Sequence, residues 1–245
     1  VKKMKVIKVK DYAELSKVAS DIISDLVKEK EDAVLGLATG STPIGLYKNL
    51  IEKYNNKEIS FSKVTTFNLD EYCNLPREHE QSYYSFMHQN LFNHIDVKPE
   101  NINLPNAIGD DLEALCEEYN EKLSKTQIDL QVLGIGGNGH IGFNEPGTPF
   151  DQETFVVELA EKTRQDNARF FSSIDEVPTH AITMGIKNIM AAKQILLLAS
   201  GAAKQDAVKK LIEGEITEKF PASVLKKHDN VIVIIDEEAA GALEK

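Results

Sequence analysis

The sequence is poor in cysteine, with only Cys73 and Cys116 in 245 residues. The two lie far apart in the chain and form no Cys-x-x-Cys pair, so neither a disulfide framework nor a thiolate metal site is expected, and a reducing compartment is. No such staple is required, because a chain of this length buries about three quarters of its unfolded-state surface. Positive charge is also scarce. Lys and Arg number 28 against 39 Asp and Glu, a net charge of −11. That balance excludes binding to DNA by non-specific phosphate neutralisation, and any anion must be held by a local arrangement against the global field. Long apolar runs are missing. The longest, around residues 195–199, is far too short to cross a bilayer. Val1-Lys2-Lys3-Met4 leads into alternating Lys and aliphatic residues rather than an apolar run, so no signal peptide is expected. These absences predict a cytoplasmic protein with no membrane and no nucleic-acid partner. Repeats, low-complexity tracts and linkers are absent too. One domain over residues 1–245 is expected, with the less regular stretch 150–179 as a lid segment.

What the sequence does have is alternation. Aliphatic runs at 6–9, 33–38, 64–69, 130–135, 194–199 and 231–235 read as strands covered on both faces. Amphipathic stretches at 11–30, 43–54, 82–94, 110–125 and 201–213 read as helices. In the first, Leu15, Val18, Ala19, Ile22, Ile23 and Leu26 recur at helical spacing. Such alternation predicts an α/β fold with a mostly parallel sheet between helices. Ligands of open α/β sheets bind beyond the carboxyl ends of the strands, so the residues following each strand are candidates for chemistry.

After the second strand comes Thr39-Gly40-Ser41-Thr42-Pro43. Gly40 permits close backbone approach, Ser41 and Thr42 offer hydroxyls, and Pro43 suits a first helical turn. An anion site at a helix start and a plain capped turn both fit. Leu46, not Lys, follows Gly45, so this is no triphosphate loop, while a monophosphate is allowed. After the third strand comes Asn68-Leu69-Asp70-Glu71-Tyr72. Adjacent strand residues point to opposite faces, so at most one of the two acids faces a site. After the fourth, six of the fourteen glycines fall between Leu133 and Gly147. Gly134, Gly136 and Gly139 satisfy G-x-G-x-x-G, but the loop opens no helix, since Asn144-Glu145-Pro146-Gly147 follows; a dinucleotide site is therefore disfavoured. The loop instead delivers His140 and Glu145, an imidazole beside a carboxylate, which suits proton transfer. No His-x-x-x-His or Cys/His cluster accompanies them, so no metal is expected. Arg169 and Lys204, taken alone, read as surface charges; Lys204 falls one turn into the helix predicted at 201–213.

Together, Leu35-Gly36-Leu37-Ala38-Thr39-Gly40-Ser41-Thr42-Pro43, Asn68-Leu69-Asp70-Glu71-Tyr72 and Gly139-His140-Ile141-Gly142-Phe143-Asn144-Glu145-Pro146 resemble the glucosamine-6-phosphate deaminase family. The resemblance runs from about residue 4 to residue 240. It implies a modified Rossmann-like three-layer α/β/α sandwich, a sugar-phosphate substrate, and conversion of D-glucosamine 6-phosphate and water to D-fructose 6-phosphate and ammonia, without cofactor or metal. By the same resemblance Asp70 moves a proton between C2 and C1. His140 opens the pyranose ring and Glu145 assists it. Gly40, Ser41, Thr42, Arg169 and Lys204 hold the phosphate. Asn138 stands where many members carry Asp. It can accept a hydrogen bond from the imidazole but supplies no charge, which leaves more of the electrostatic support to Glu145. Allosterically activated hexameric members have basic and hydroxyl residues after the Asn-Glu-Pro turn, where this chain has Phe155, Val157 and Glu158. A monomer or small homo-oligomer, not activated by N-acetylglucosamine 6-phosphate, is expected. A 6-phosphogluconolactonase would share the fold and phosphate turn but would not need Asn-Glu-Pro. A sugar-phosphate-sensing regulator would need a DNA-binding segment for which there is no basic patch.

Overall fold

The computed structural model describes residues 4–243. In chain order the regular elements are β1 (Lys5–Val9), α1 (Tyr12–Glu29), β2 (Val34–Leu37), α2 (Ile44–Asn55), β3 (Thr65–Asn68), β4 (Asp70–Tyr72), α3 (Tyr83–Asn90), β5 (Ile102–Asn103), α4 (Leu112–Ser124), β6 (Leu130–Leu133), β7 (Phe155–Glu158), α5 (Glu161–Asn167), β8 (His180–Thr183), α6 (Ile186–Met190), β9 (Gln194–Ala199), α7 (Gln205–Glu213) and β10 (Val231–Asp236).

Seven strands form one parallel sheet in the order β1-β10-β9-β6-β2-β3-β5. The pleat sorts the strand residues between two layers. Leu35, Leu37, Leu130, Val132, Leu196, Leu198 and Ile234 face α1 and α2, packing with Leu15, Ala19, Ile23, Tyr47 and Leu50. Phe67, Leu133, Ile195, Leu197, Val233 and Ile235 pack on the opposite face with Tyr119, Ile189, Val208 and Leu211. This is the expected three-layer α/β/α sandwich. Each fully buried Leu or Ile contributes roughly 1.5–3 kcal/mol, and burial on both faces explains why the inner strands read as largely apolar runs, whereas the edge strand β1 is mostly exposed and alternates aliphatic residues with Lys5 and Lys8.

The chain builds one half of the sheet outward from β2 through β3 to β5, then returns to β6 and builds outward the other way through β9 and β10. The strand order therefore reverses between β2 and β6. Their diverging C-terminal connections leave a crevice at that switch point.

The sequence reading differs from the structure at several elements. A second sheet, β4-β8-β7, is antiparallel and small. It uses residues read only as a motif (β4) or as an irregular excursion (β7), and the excursion also contains α5. The helix expected at 82–94 stops at Asn90, and Phe92–His94 forms a separate 3-10 turn. Lys204 does not lie within a continuous helix over 201–213. It closes a 3-10 turn, Ala202–Lys204, which precedes α7 and starts from Gly201 at φ +95°. Cys73 and Cys116, distant in sequence, are both free and buried and share one small apolar cluster with Ala107 and Ile182. Among the described residues, no helix is long and apolar enough to cross a membrane.

Candidate active site

A cavity of about 310 Å³ opens at the switch point. The turn after β2 (Thr39, Gly40, Ser41, Thr42, Pro43), Asp70 at the start of β4, and the loop after β6 (Gly134, Ile135, Gly136, His140, Gly142, Phe143) line it, with Tyr83 and Lys204 closing the wall.

The turn after β2 is held differently from the sequence expectation. Pro43 is the N-cap of α2, and no side chain caps that helix. Its support comes from Tyr12 on α1. The Tyr12 hydroxyl accepts from Gly45 N at 2.9 Å and donates to Thr42 O at 2.7 Å. Gly40 adopts φ +99°, a conformation that suits glycine. The hydroxyls of Ser41 and Thr42 are thus not consumed as caps. No local pattern around Tyr12 announces its part, since it acts across a helix–helix contact.

Asp70 is buried, 7 % exposed, and lines the cavity. Burial first, and the neighbouring Glu71 carboxylate second, push its pKa up to about 8. As the pleat requires, Glu71 points away from the cavity and accepts hydrogen bonds from backbone amides instead.

The glycine-rich loop positions the imidazole. A Cβ on Gly136 would collide with the His140 ring, and Gly139, at φ +87°, would meet the ring of Phe220. Both positions therefore require glycine. His140 Nδ1 lies 2.8 Å from Asn138 Oδ1, and Asn138 Nδ2 donates to Glu145 Oε2 at 2.8 Å. A carboxylate can only accept here, so the amide oxygen must face the ring. Nδ1 therefore carries the proton, and Nε2 of the neutral ring is free to accept one. Asn138 thus links His140 to Glu145, whose Oε1 also stands 3.7 Å from Nδ1. Burial pulls the His140 pKa down, Glu145 opposes that, and Lys204 reinforces it. Asn144, fully buried, fixes the end of the loop by donating to Ile141 O and Met184 O, each at 2.9 Å.

Lys204 Nζ reaches across the cavity to donate to Ile135 O at 2.7 Å. Burial lowers its pKa, as expected for an ammonium drawn out of water. Arg169 is not brought to the cavity. It lies in the 3-10 turn Ala168–Phe170, and its guanidinium sits 4.5 Å from the centroid of the Phe170 ring. Phe170 and Asn167 line an adjoining groove that shares Thr39, Gly40, Ser41 and Tyr83 with the cavity. Sequence reasoning missed Tyr83 and Phe143, whose rings lie near-parallel with centroids 6.4 Å apart on the cavity wall.

Fold and cavity define an open-sheet α/β protein whose switch point pairs a buried carboxylate with an imidazole beside a helix-start turn. The sequence profile of the glucosamine-6-phosphate isomerases/6-phosphogluconolactonase family matches residues 10–234. A glucosamine-6-phosphate deaminase of Clostridium botulinum (strain Langeland) is 56% identical over 242 residues, covering 98% of this chain and 99% of that protein. One from Thermoanaerobacter sp. (strain X514) is 55% identical over 241 residues, covering 98% and 95%. A solved monomeric glucosamine-6-phosphate deaminase superposes with a TM-score of 0.93 at 53% identity, covering 98% of this chain and all of that one. The 6-phosphogluconolactonase of Trypanosoma brucei, at 20% identity and a TM-score of 0.80, shares the fold. The chain belongs to the glucosamine-6-phosphate isomerase/6-phosphogluconolactonase family.

Proposed function

We propose that the protein converts D-glucosamine 6-phosphate and water to D-fructose 6-phosphate and ammonia. The observation that carries this reading is the pairing, in one cavity, of a buried carboxylate with an imidazole whose Nε2 is free, in a chain 56% identical over nearly its full length to a glucosamine-6-phosphate deaminase.

In this reading the closed sugar must first become an aldehyde. His140 Nε2 takes the O1 proton and returns it to O5 as the C1–O5 bond breaks. Asn138 and Glu145 hold the resulting imidazolium through Nδ1–H. Asp70 then takes the C2 proton to give an enolamine and delivers it to C1. The product is an iminium at C2; water adds there, and ammonia leaves. Asp70 must be ionised to act. The substrate's ammonium group, arriving beside it, offsets part of the burial that holds its proton on. The phosphate occupies the Gly40-Ser41-Thr42 turn, with Lys204 releasing Ile135 O to meet it. Arg169 joins when the segment 150–179 closes as a lid over the adjoining groove. Binding energy at the phosphate then serves orientation at C1 and C2.

The protein works as a monomer or small homo-oligomer in the cytoplasm, where its two free thiols stay reduced. N-acetylglucosamine 6-phosphate does not activate it, because β7 offers Phe155, Val157 and Glu158 and no cation for an anionic effector. The test is to incubate the protein with glucosamine 6-phosphate and assay ammonium and fructose 6-phosphate, with Asp70→Asn as control. Absence of ammonium from the wild type would sink the activity. A variant as fast as wild type would sink the role of Asp70.

A further inference from the structure

Glu71 is 4 % exposed and lies outside the cavity. Its Oε1 accepts from Tyr72 N and Tyr83 N, and its Oε2 from Tyr84 N, each at 2.9 Å. Ser82 Oγ accepts from Ser85 N at 3.0 Å. The first-turn amides of α3 are therefore all satisfied, two of them by a carboxylate in a different element. An ordinary helix start needs no such partner; a neutral cap suffices. Burying a carboxylate is costly unless its hydrogen bonds are complete, and the three amides complete those of Glu71. Its bonds have a second consequence. They tie β4, which carries Asp70, to Tyr83, which forms the cavity wall. Tyr83 also packs against Tyr72, with ring centroids 4.7 Å apart.

We infer that Glu71 is a positioning residue for proton transfer at Asp70: its carboxylate clamps α3 onto β4 and holds Asp70 and Tyr83 in one fixed geometry around the reacting carbons. The inference rests on the reading of Asp70 as the base. Glu71 is not itself a base, since its oxygens are engaged by backbone amides on the side of β4 away from the cavity. The clamp also places a carboxylate beside Asp70. The other ionisable groups around Asp70 are Tyr72 on its own strand, Tyr83 from α3, Tyr119 from α4, and His140 and Lys204, which line the same cavity. Burial raises the Glu71 pKa, while the three backbone amides and then Arg77 oppose that shift and favour the charged form. Loss of the Glu71 charge leaves Asp70 easier to ionise.

Two variants separate positioning from bulk structure. Glu71→Gln keeps the shape and the oxygen that serves Tyr72 and Tyr83, but turns an NH₂ group toward the Tyr84 amide and removes the charge. Glu71→Asp keeps the charge and shortens the arm. In Glu71→Gln, kcat on glucosamine 6-phosphate is expected to fall about 10- to 100-fold, the scale of a small misplacement of reacting groups. Inhibition by inorganic phosphate is expected to stay unchanged, because the phosphate turn is tied to Tyr12 and not to α3. The acid limb of kcat/KM is expected to move to lower pH. The substrate phosphate titrates identically in both proteins, so it cannot produce that difference. In Glu71→Asp, kcat falls while the acid limb stays in place. Wild-type kcat in either folded variant, a loss confined to phosphate affinity, or an unmoved acid limb in Glu71→Gln would overturn the inference. Should a variant not fold, hydrogen exchange in the wild type decides: the Tyr83 and Tyr84 amides must be protected, and exchange at the rate of free amides refutes the clamp. Failure of the underlying reading appears in the wild type or in Asp70→Asn, whereas failure of this inference appears in the Glu71 variants or those two amides.

Discussion

Replacing Asp70 by Asn is expected to abolish turnover and, at neutral pH, to make the protein more stable. The carboxyl is held at a pKa of about 8 against an ordinary 3.8, chiefly by burial. Between those values the native state retains a proton that the unfolded chain has lost. Stability due to the neutral form is therefore complete below pH 3.8 and falls as pH rises toward 8. Each pH unit of the gap is worth about 1.4 kcal/mol, so the span costs about 6 kcal/mol in full and about 4 kcal/mol at pH 7. Asn is nearly isosteric and carries no charge, but its NH₂ group needs a partner in the cavity, which returns about 1 kcal/mol. A net gain of about 3 kcal/mol at pH 7 remains, or roughly 6–12 °C in Tm for a chain of this size. The assay is urea unfolding of both proteins at pH 4.5, 6 and 8, alongside ammonium release. The gap in stability should widen with pH and nearly vanish at the acid end. A variant no more stable than wild type at pH 8, or a gap independent of pH, would refute the argument from burial. The same raised pKa puts the acid limb of wild-type kcat/KM above the ordinary carboxylate range.

Asn138→Asp places a carboxylate 2.8 Å from His140 Nδ1 and should raise the imidazole pKa by about one pH unit or more; an NMR titration showing no rise would remove Asn138 from contact with the ring. Lys204→Ala and Arg169→Ala should each raise KM for the sugar phosphate about 10- to 100-fold, the worth of one charge-assisted hydrogen bond, with kcat less affected; steady-state kinetics with unchanged KM in both would remove them from the phosphate site. Gly139→Ala forces a side chain into φ +87° and against Phe220, which should cost about 1–3 kcal/mol in strain and lower the urea midpoint; an unchanged midpoint would show that the loop relaxes freely.

Six of the seven strands of the main sheet could be read from the sequence, the five inner ones because burial on both faces writes them as largely apolar runs, and the edge strand β1 from aliphatic residues alternating with lysine. The missing one, β5, has two residues, too few for any periodicity. The small sheet escaped for another reason. β4, Asp70–Tyr72, is two acids and a tyrosine, and what makes it a strand is pairing with β8, more than a hundred residues away. Asp70, His140, Glu145 and Asn138 were legible because each lies in a strand-end motif. Tyr12 and Tyr83 were not, because they reach the site through packing between elements; Phe143 stands in the same motif as His140, but its place on the wall depends on its stacking with Tyr83. Glu71 was visible as one of two acids, and alternation separated their faces correctly. That its oxygens would cap α3 depends on how α3 docks, which no local pattern encodes. Arg169 was placed with the phosphate by resemblance alone, and it lies outside the cavity.

The net charge of −11 and an anionic substrate are compatible once distances are compared. Charges on the outer surface act through water and salt, and are largely screened beyond about 8–10 Å. A cation 4 Å from a phosphate at a partly buried site contributes about 4 kcal/mol at an effective dielectric of 20. Lys204 lies on the cavity wall, partly withdrawn from solvent. The turn before α2 adds the hydroxyls of Ser41 and Thr42, which cap nothing, beside the positive end of the helix dipole. A few such groups at contact distance outweigh a larger but screened excess of carboxylates. The opposite requirement holds a short way off. Asp70 needs a site dry enough to hold its proton tightly, so that it can return that proton to the sugar instead of losing it to water. The switch point meets both needs: strand ends and a helix start supply the groups for an anion, and β4, buried along its length, carries Asp70.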